Sequence, residues 1–200
     1  MMRLTRSPFR SFGVFVTILL LSIISFAQTA RQEKAFSGIK IKNFGQMDEL
    51  FYRGARPKEA DFKDLAALGI KTVIDLTDEP KDYEKAAVES LGMHYVNIPM
   101  IDKQYPKEAQ VEQFLKLVND PATGKFYVHC AGGRHRTGAM GAVYRFTKYG
   151  WNYDQVYAEM KQYDFYTSWG HGAFKDFVRD YYSQIREANQ LRNSNTHNRE

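Results

Sequence analysis

The chain has 200 residues, 44% of them apolar and 26% charged, with a formal net charge of +5 and one cysteine. That composition suffices for one conventional hydrophobic core, and it excludes both a disulfide-built miniprotein and a low-hydrophobicity disordered chain. Three of the positive charges, Arg3, Arg6 and Arg10, stand in an N-terminal stretch that carries no acid, so the chain from Gln28 onward is only +2 and no nucleic-acid partner is expected.

Arg3, Arg6 and Arg10 precede an apolar run from Gly13 to Phe26, and Ser25-Phe26-Ala27 supplies small residues where a signal peptidase reads. Residues 1–27 are therefore expected to be a secretory signal peptide, which places the mature chain in the periplasm or outside the cell. The run falls short of the ~20 residues a spanning helix needs, so no stable membrane anchor is expected; the alternative is tethering by an uncleaved signal. A polar lead, 28–37, opens onto a single domain over 38–188. Within it Ile39–Lys42 alternates as a strand does, and Leu50–Arg53 is expected to pair with it in a hairpin. Pro57 is expected to start a helix that Gly69 ends. A buried strand over Lys71–Leu76, a helix over Asp82–Leu91, and a strand over His94–Met100 follow.

The spacing of Val111, Phe114, Leu115 and Val118 predicts a helix over Lys107–Asn119, and Phe126-Tyr127-Val128 a strand. A helix is expected from about Thr137 to Gly150, then two more over Tyr153–Tyr163 and Ala173 to about Ala188, and a disordered polar tail over 189–200. The segment Phe165–Gly172 is expected to pack Phe165 and Trp169 between two helices; the alternative is that it overhangs the functional pocket. Alternating helices and strands predict an α/β fold, a mostly parallel central sheet flanked by helices on both faces with right-handed crossovers. A monomer is expected.

Between the predicted strand at Phe126 and the helix near Thr137 lies His129-Cys130-Ala131-Gly132-Gly133-Arg134-His135-Arg136-Thr137-Gly138. Singly, a cysteine is most often a small buried hydrophobe and a histidine beside it a packed core residue. Together with two glycines, an arginine and a helix start at fixed offsets they describe an anion cradle holding a nucleophile. The glycines let successive N–H groups converge, the helix adds its positive end, and the planar fork of Arg136 suits two phosphoryl oxygens. Phosphate contacts are expected from Ala131, Gly132, Gly133, Arg134, His135 and Arg136. The same field lowers a thiol pKa, so Cys130 is expected to attack as thiolate. His129 is expected to orient the loop or stabilise that thiolate, and Thr137 to donate its hydroxyl to the departing sulfur. No metal and no cofactor is expected.

At these residues the chain resembles the cysteine-dependent protein tyrosine phosphatase superfamily, whose signature is His-Cys, five residues, Arg, then Ser or Thr. Gly133–Gly138 is closest to the compact atypical dual-specificity phosphatases of bacteria, plants and fungi. Phe51-Tyr52-Arg53-Gly54-Ala55-Arg56-Pro57 resembles the family's opening segment and Thr72–Thr77 its first central strand, so the likeness covers roughly 38–185. The resemblance implies a three-layer protein tyrosine phosphatase-like fold and hydrolysis of phosphomonoesters through a phosphocysteine intermediate. It also implies an aspartic acid that protonates the leaving oxygen. Asp102, after the strand ending at Met100, is the candidate and Asp78 the rival.

The implied substrates are phosphotyrosine or dual-specificity protein substrates, with inositol polyphosphates as the alternative that Arg134 and His135 favour through extra cationic charge. A non-catalytic phosphate-binding module ranks lower because no essential group is missing. Sulfur transfer on a rhodanese-like loop fits the His-Cys and Arg-Thr-Gly flanks poorly.

Overall fold

Residue-to-residue alternation along the strands sorts this domain into two faces and brings four strand ends to one edge. The computed structural model describes residue 36 and residues 38–197; the signal-peptide expectation for residues 1–27 lies outside them. The chain divides into two units, Met1–Ile39 and Lys40–Glu200, and every element below belongs to the second. The sheet has five strands: β1 (Gly45–Gln46), β2 (Phe51–Ala55), β3 (Thr72–Thr77), β4 (His94–Met100) and β5 (Phe126–Cys130), in the spatial order β1-β2-β5-β3-β4. Only β1 runs antiparallel; β2, β5, β3 and β4 are mutually parallel.

The helices are α1 (Asp61–Ala67), α2 (Asp82–Ser90), α3 (Glu108–Asn119), α4 (His135–Tyr149), α5 (Tyr153–Gln162) and α6 (Gly172–His197), with a 3-10 turn at Pro121–Thr123. Together they make the three-layer α/β fold, a mostly parallel sheet flanked by helices. Ile74, Leu76, Val128 and Cys130 join one core with Phe114 of α3, Met140 and Val143 of α4, Met160 of α5 and Phe174 of α6. Val73, Asp75 and His129 alternate to the opposite face, since successive side chains of a strand point to opposite sides of a sheet. Residues 135–146 of α4 are all buried. Parallel pairing places the C-terminal ends of β2, β5, β3 and β4, namely Ala55, Cys130, Thr77 and Met100, along one edge, where sites collect in open α/β sheets.

Three expectations change. The hairpin forms, but its first strand is Gly45–Gln46 and not Ile39–Lys42. Lys42 ends in a turn with Asn43 at φ +53°, its carbonyl accepting from Ala55 N at 2.8 Å. Pro57 begins a turn and not a helix, because the Asp61 carboxylate captures Lys58 N at 2.8 Å and delays the helix to Asp61. At the other end, α6 continues through His197, across most of the 189–200 tail expected to be disordered: Gln190, Leu191, Arg192 and the residues leading to them are adequate helix formers, and elongating an existing helix costs far less than nucleating one.

Candidate active site

Cys130 closes β5, and the chain turns through Ala131–Arg134 into α4 at His135. The turn is tight because Gly133 sits at φ +67°, with room for no side chain: a Cβ there would come within 2.3 Å of Gly54 C on β2. Outside the turn its carbonyls are held one after another. Arg56 N donates to Ala131 O at 3.4 Å, Asn43 Nδ2 to Gly132 O at 2.9 Å, and the buried Arg53 Nη2 to Gly133 O at 2.8 Å. A trans peptide points its N–H opposite to its C=O, so fixing these carbonyls outward turns the following N–H groups toward the cysteine.

The consequence is visible at the sulfur. Burial by itself would raise the Cys130 thiol, but the Thr137 hydroxyl, the Arg136 charge and the backbone N–H groups of Thr137 and Arg134 together hold it below the ordinary cysteine value. A lowering of this kind is what an anion-binding turn at a helix N-terminus is expected to produce. Thr137 is fully buried beside it.

Cys130, Ala131, Gly132, Arg134, Arg136 and Asp102 line one pocket of about 150 Å³, with His135, Tyr166 and His171 completing the wall. Arg136 is pinned before any ligand arrives: Nη1 donates to Asp78 Oδ1 and to Met100 O, both at 2.9 Å, while Nη2 lies 3.9 Å from Asp102 Oδ1. The two candidate carboxylates thus part company. Asp78 is a brace on Arg136, and Asp102, 45% exposed, faces the pocket. Gly133, Thr137 and His129 stand behind the wall.

His129 is wholly buried on the opposite face of the sheet, with Nε2 3.2 Å from Glu84 Oε2 and Nδ1 3.7 Å from Asp75 Oδ1. Ligand-type atoms of Asp75, Glu84 and His129 lie within 4.8 Å of one another. Their charge is already met from within the fold, since Arg56 Nε approaches Glu84 Oε1 to 2.7 Å and Tyr95 and Thr77 donate to Asp75. A metal cation there would have to share Glu84 with a guanidinium, so the donor set fits an ion-paired support for β5 better than a metal site.

His135 does not supply the extra positive charge expected of it. Burial and the neighbouring His171 push its pKa down to about 4, leaving the ring neutral at pH 7, and its Nε2 lies 3.0 Å from Tyr166 O. Arg134 leans toward Asp164 at 3.6 Å. The segment Phe165–Gly172 divides between the two expectations. Phe165 is core, as expected, but Trp169 is 83% exposed and packs between no helices, because the chain turns there through φ +59° and then +84° at Gly170. Tyr166 and His171 from the same segment wall the pocket. Sequence reasoning missed Asn43, Arg53, Glu84 and His171 as individual residues; Arg53 lay inside a segment already singled out, Phe51–Pro57, and His171 inside another, Phe165–Gly172.

A buried, activated cysteine at the foot of an anion-sized pocket, with an arginine fixed beside it, defines a cysteine-dependent phosphatase site. Comparison with known proteins agrees. The model of the family described as "DSP-PTPase phosphatase fused to NAD+ Kinase" matches residues 26–180, and the chain belongs to that family; it is a cysteine-dependent phosphatase of the dual-specificity and tyrosine phosphatase superfamily.

Among its relatives, "Probable tyrosine-protein phosphatase DG1060" of Dictyostelium discoideum is 29% identical over 127 residues, 60% of this chain and 75% of the relative. "Inositol diphosphatase DSP1" of Oryza sativa subsp. japonica is 29% identical over 113 residues, 49% of this chain and 46% of the relative. P. aeruginosa TpbA superposes with a TM-score of 0.58 at 25% identity, over 70% of this chain and 84% of that one, and a structure of TpbA in complex with pTyr does so at 0.51 and 26%, over 69% and 79%. Among the described residues no helix is long and apolar enough to cross a membrane.

Proposed function

We propose that the protein hydrolyses phosphomonoesters of the phosphotyrosine or dual-specificity type through a phosphocysteine formed on Cys130. The observation that carries this reading is the lowered thiol of Cys130 beside a prepositioned Arg136. The phosphate sits on the N–H groups of residues 131–136, with Arg136 across two of its oxygens. Cys130 Sγ attacks phosphorus as the ester P–O bond breaks, and Asp102 gives its proton to the leaving oxygen. Water then attacks the phosphocysteine, Asp102 takes the proton back, and Cys130 leaves as thiolate under the Thr137 hydroxyl. Asp102 is preferred to Asp78 because it faces the pocket, whereas the Asp78 carboxylate is spent on Arg136.

For the substrate, Tyr166, His135 and His171 offer rings to an aromatic ester, and the neutral His135 withholds a cation that a polyphosphate would use. Inositol polyphosphates remain the second reading, favoured by Arg134, whose side chain is 38% exposed at the pocket wall, and by the inositol diphosphatase relative. Export by the 1–27 leader is part of the proposal, and N-terminal sequencing of protein recovered from cell fractions tests it. The activity itself is tested by assaying the purified chain on phosphotyrosine peptides and inositol polyphosphates side by side. Higher kcat/KM on the peptides, abolished by Cys130→Ser, is expected; preference for the polyphosphates installs the second reading, and phosphate binding without turnover reduces the protein to a binding module.

A further inference from the structure

Arg136 has one edge of its guanidinium left for phosphate. Nη1 is spent on Asp78 Oδ1 and Met100 O, while Nε is buried with no hydrogen-bond partner among the described residues. The open edge, Nε and Nη2, is a fork that suits two phosphoryl oxygens. Which edge stays open depends on where the Asp78 carboxylate stands. Asp78 lies in an exposed bend just past the end of β3, beyond the last residue paired with β4, so the sheet ladder does not fix it.

Arg56, directly after β2, does so. Its Nη2 donates to Thr77 Oγ1 and to Glu79 O, both at 2.9 Å, and grips the residues on either side of Asp78. The Thr77 hydroxyl gives its own proton to Asp75, which leaves its lone pairs free to accept from Arg56. Arg56 is anchored in turn. Its Nε ion-pairs with the fully buried Glu84 at 2.7 Å, and its backbone N donates to Ala131 O at 3.4 Å. One residue thus ties the turn that follows Cys130 to the bend that aims Arg136.

We propose that Arg56 is a positioning residue for phosphoryl transfer, setting the Asp78 carboxylate on Arg136 and with it the edge that Arg136 turns to the phosphate. Arg56 does not line the pocket and acts through Asp78. The proposal rests on the reading of Arg136 as the phosphate clamp of a phosphocysteine enzyme. Lysine does not replace it: an ammonium on a flexible stem keeps a charge beside Glu84, but it lacks the planar fork that meets Glu84 with one nitrogen and the bend with another.

The test is a double-mutant cycle on the purified chain: wild type, Arg56→Lys, Asp78→Ala and the double variant, each assayed for kcat/KM on p-nitrophenyl phosphate and for inhibition by orthovanadate. Arg56→Lys alone should lower kcat/KM and weaken vanadate inhibition, each by roughly tenfold, the effect of a small displacement at a reacting centre. With Asp78 already truncated, the same substitution should change either by no more than about twofold, the margin within which independent effects add. A residue that merely steadies the fold would lower Tm and cost the same activity in both backgrounds. An equal loss in both backgrounds, no loss from Arg56→Lys, or no loss from Asp78→Ala would each overturn the proposal. If Arg56→Lys does not fold, Arg56→Met combined with Glu84→Gln, which removes the stranded charge, takes its place in the cycle under the same criteria. Turnover surviving in Cys130→Ser would overturn the phosphocysteine reading and this proposal with it, a failure distinct from a failed cycle in an enzyme that still needs Cys130.

Discussion

Replacing Arg53 by Met isolates what the second strand contributes to the catalytic turn. The Arg53 side chain is 1% exposed, donates from Nη2 to Gly133 O at 2.8 Å and lies 4.0 Å over the Tyr163 ring. Burial pulls its guanidinium below the usual arginine value, against the opposing pull of Tyr163, Glu159 and Cys130. A hydrogen bond from a charged donor is worth ~1.5–3 kcal/mol, and the ring contact adds ~0.5–2 kcal/mol. Relief from burying a charge offsets part of this, leaving a net loss of about 2 kcal/mol. For a chain of this size that lowers Tm by roughly 4–8 °C.

Met fills most of the volume, so the fold should survive while the turn loosens. With Gly133 O unheld and one nearby cation gone, the Cys130 thiol should titrate at higher pH and kcat/KM should fall by roughly 10–100-fold, the scale of a small misplacement at a reacting centre. Scanning calorimetry gives Tm, and the pH dependence of alkylation of the single cysteine gives the thiol. A variant with unchanged Tm and an unchanged alkylation profile would show that the turn does not depend on β2.

Gly133→Ala should be worse than its one methyl suggests: the position needs φ +67° and the new Cβ would meet Gly54 C at 2.3 Å, so phosphate-dependent thermal stabilisation and turnover should both disappear, and an Ala variant with wild-type turnover would refute the close approach. Thr137→Val removes the hydroxyl that helps hold the Cys130 thiol low; the acid limb of kcat/KM should move up and phosphocysteine should accumulate in rapid-quench experiments, whereas an unmoved limb denies Thr137 that role. His135 is held near 4 against an unfolded value near 6.5. The unfolded chain therefore binds a proton the folded one refuses, so this contribution is complete above about pH 6.5 and is lost as pH falls to about 4, on the order of 1–3 kcal/mol. His135→Phe should flatten that part of the stability curve measured by urea unfolding, and an unaltered slope would contradict the buried neutral ring.

What could be read from the sequence and what could not divide along contact range. The turn Cys130–Arg136 and the strand and helix on either side are local: glycine placement, a helix start and hydrophobic period sit within a few residues of one another. His94–Met100 as a strand and Gly150 as a helix stop were legible for the same reason. Ile39–Lys42 misleads because alternation records only which side chains are buried, and one buried residue, Ile41, satisfies it without any strand pairing. Gly45 takes the pairing instead, in a place where a Cβ would strike the Tyr163 ring, a constraint set by a residue far downstream.

The supports of the site were hidden for this reason as well. Asn43 meets Gly132, Arg53 meets Gly133 and Glu84 meets His129 only after the parallel sheet is assembled. Charge was legible in amount but not in state, and His135 counted as a potential cation until its burial against His171 was known. Asp102 and Asp78 both follow strand ends in the sequence; the structure separates them, with Arg136 engaging Asp78 at 2.9 Å while Asp102 lines the pocket.

The central claim is that the turn ionises Cys130 so that it takes the phosphoryl group. Mixing the Asp102→Asn variant with p-nitrophenyl phosphate, quenching within the first turnover and locating the adduct by peptide mass spectrometry tests it directly. One phosphoryl group on Cys130, absent from Cys130→Ser, is predicted. Continued turnover with the phosphoryl group on another residue, or on none, would contradict the account.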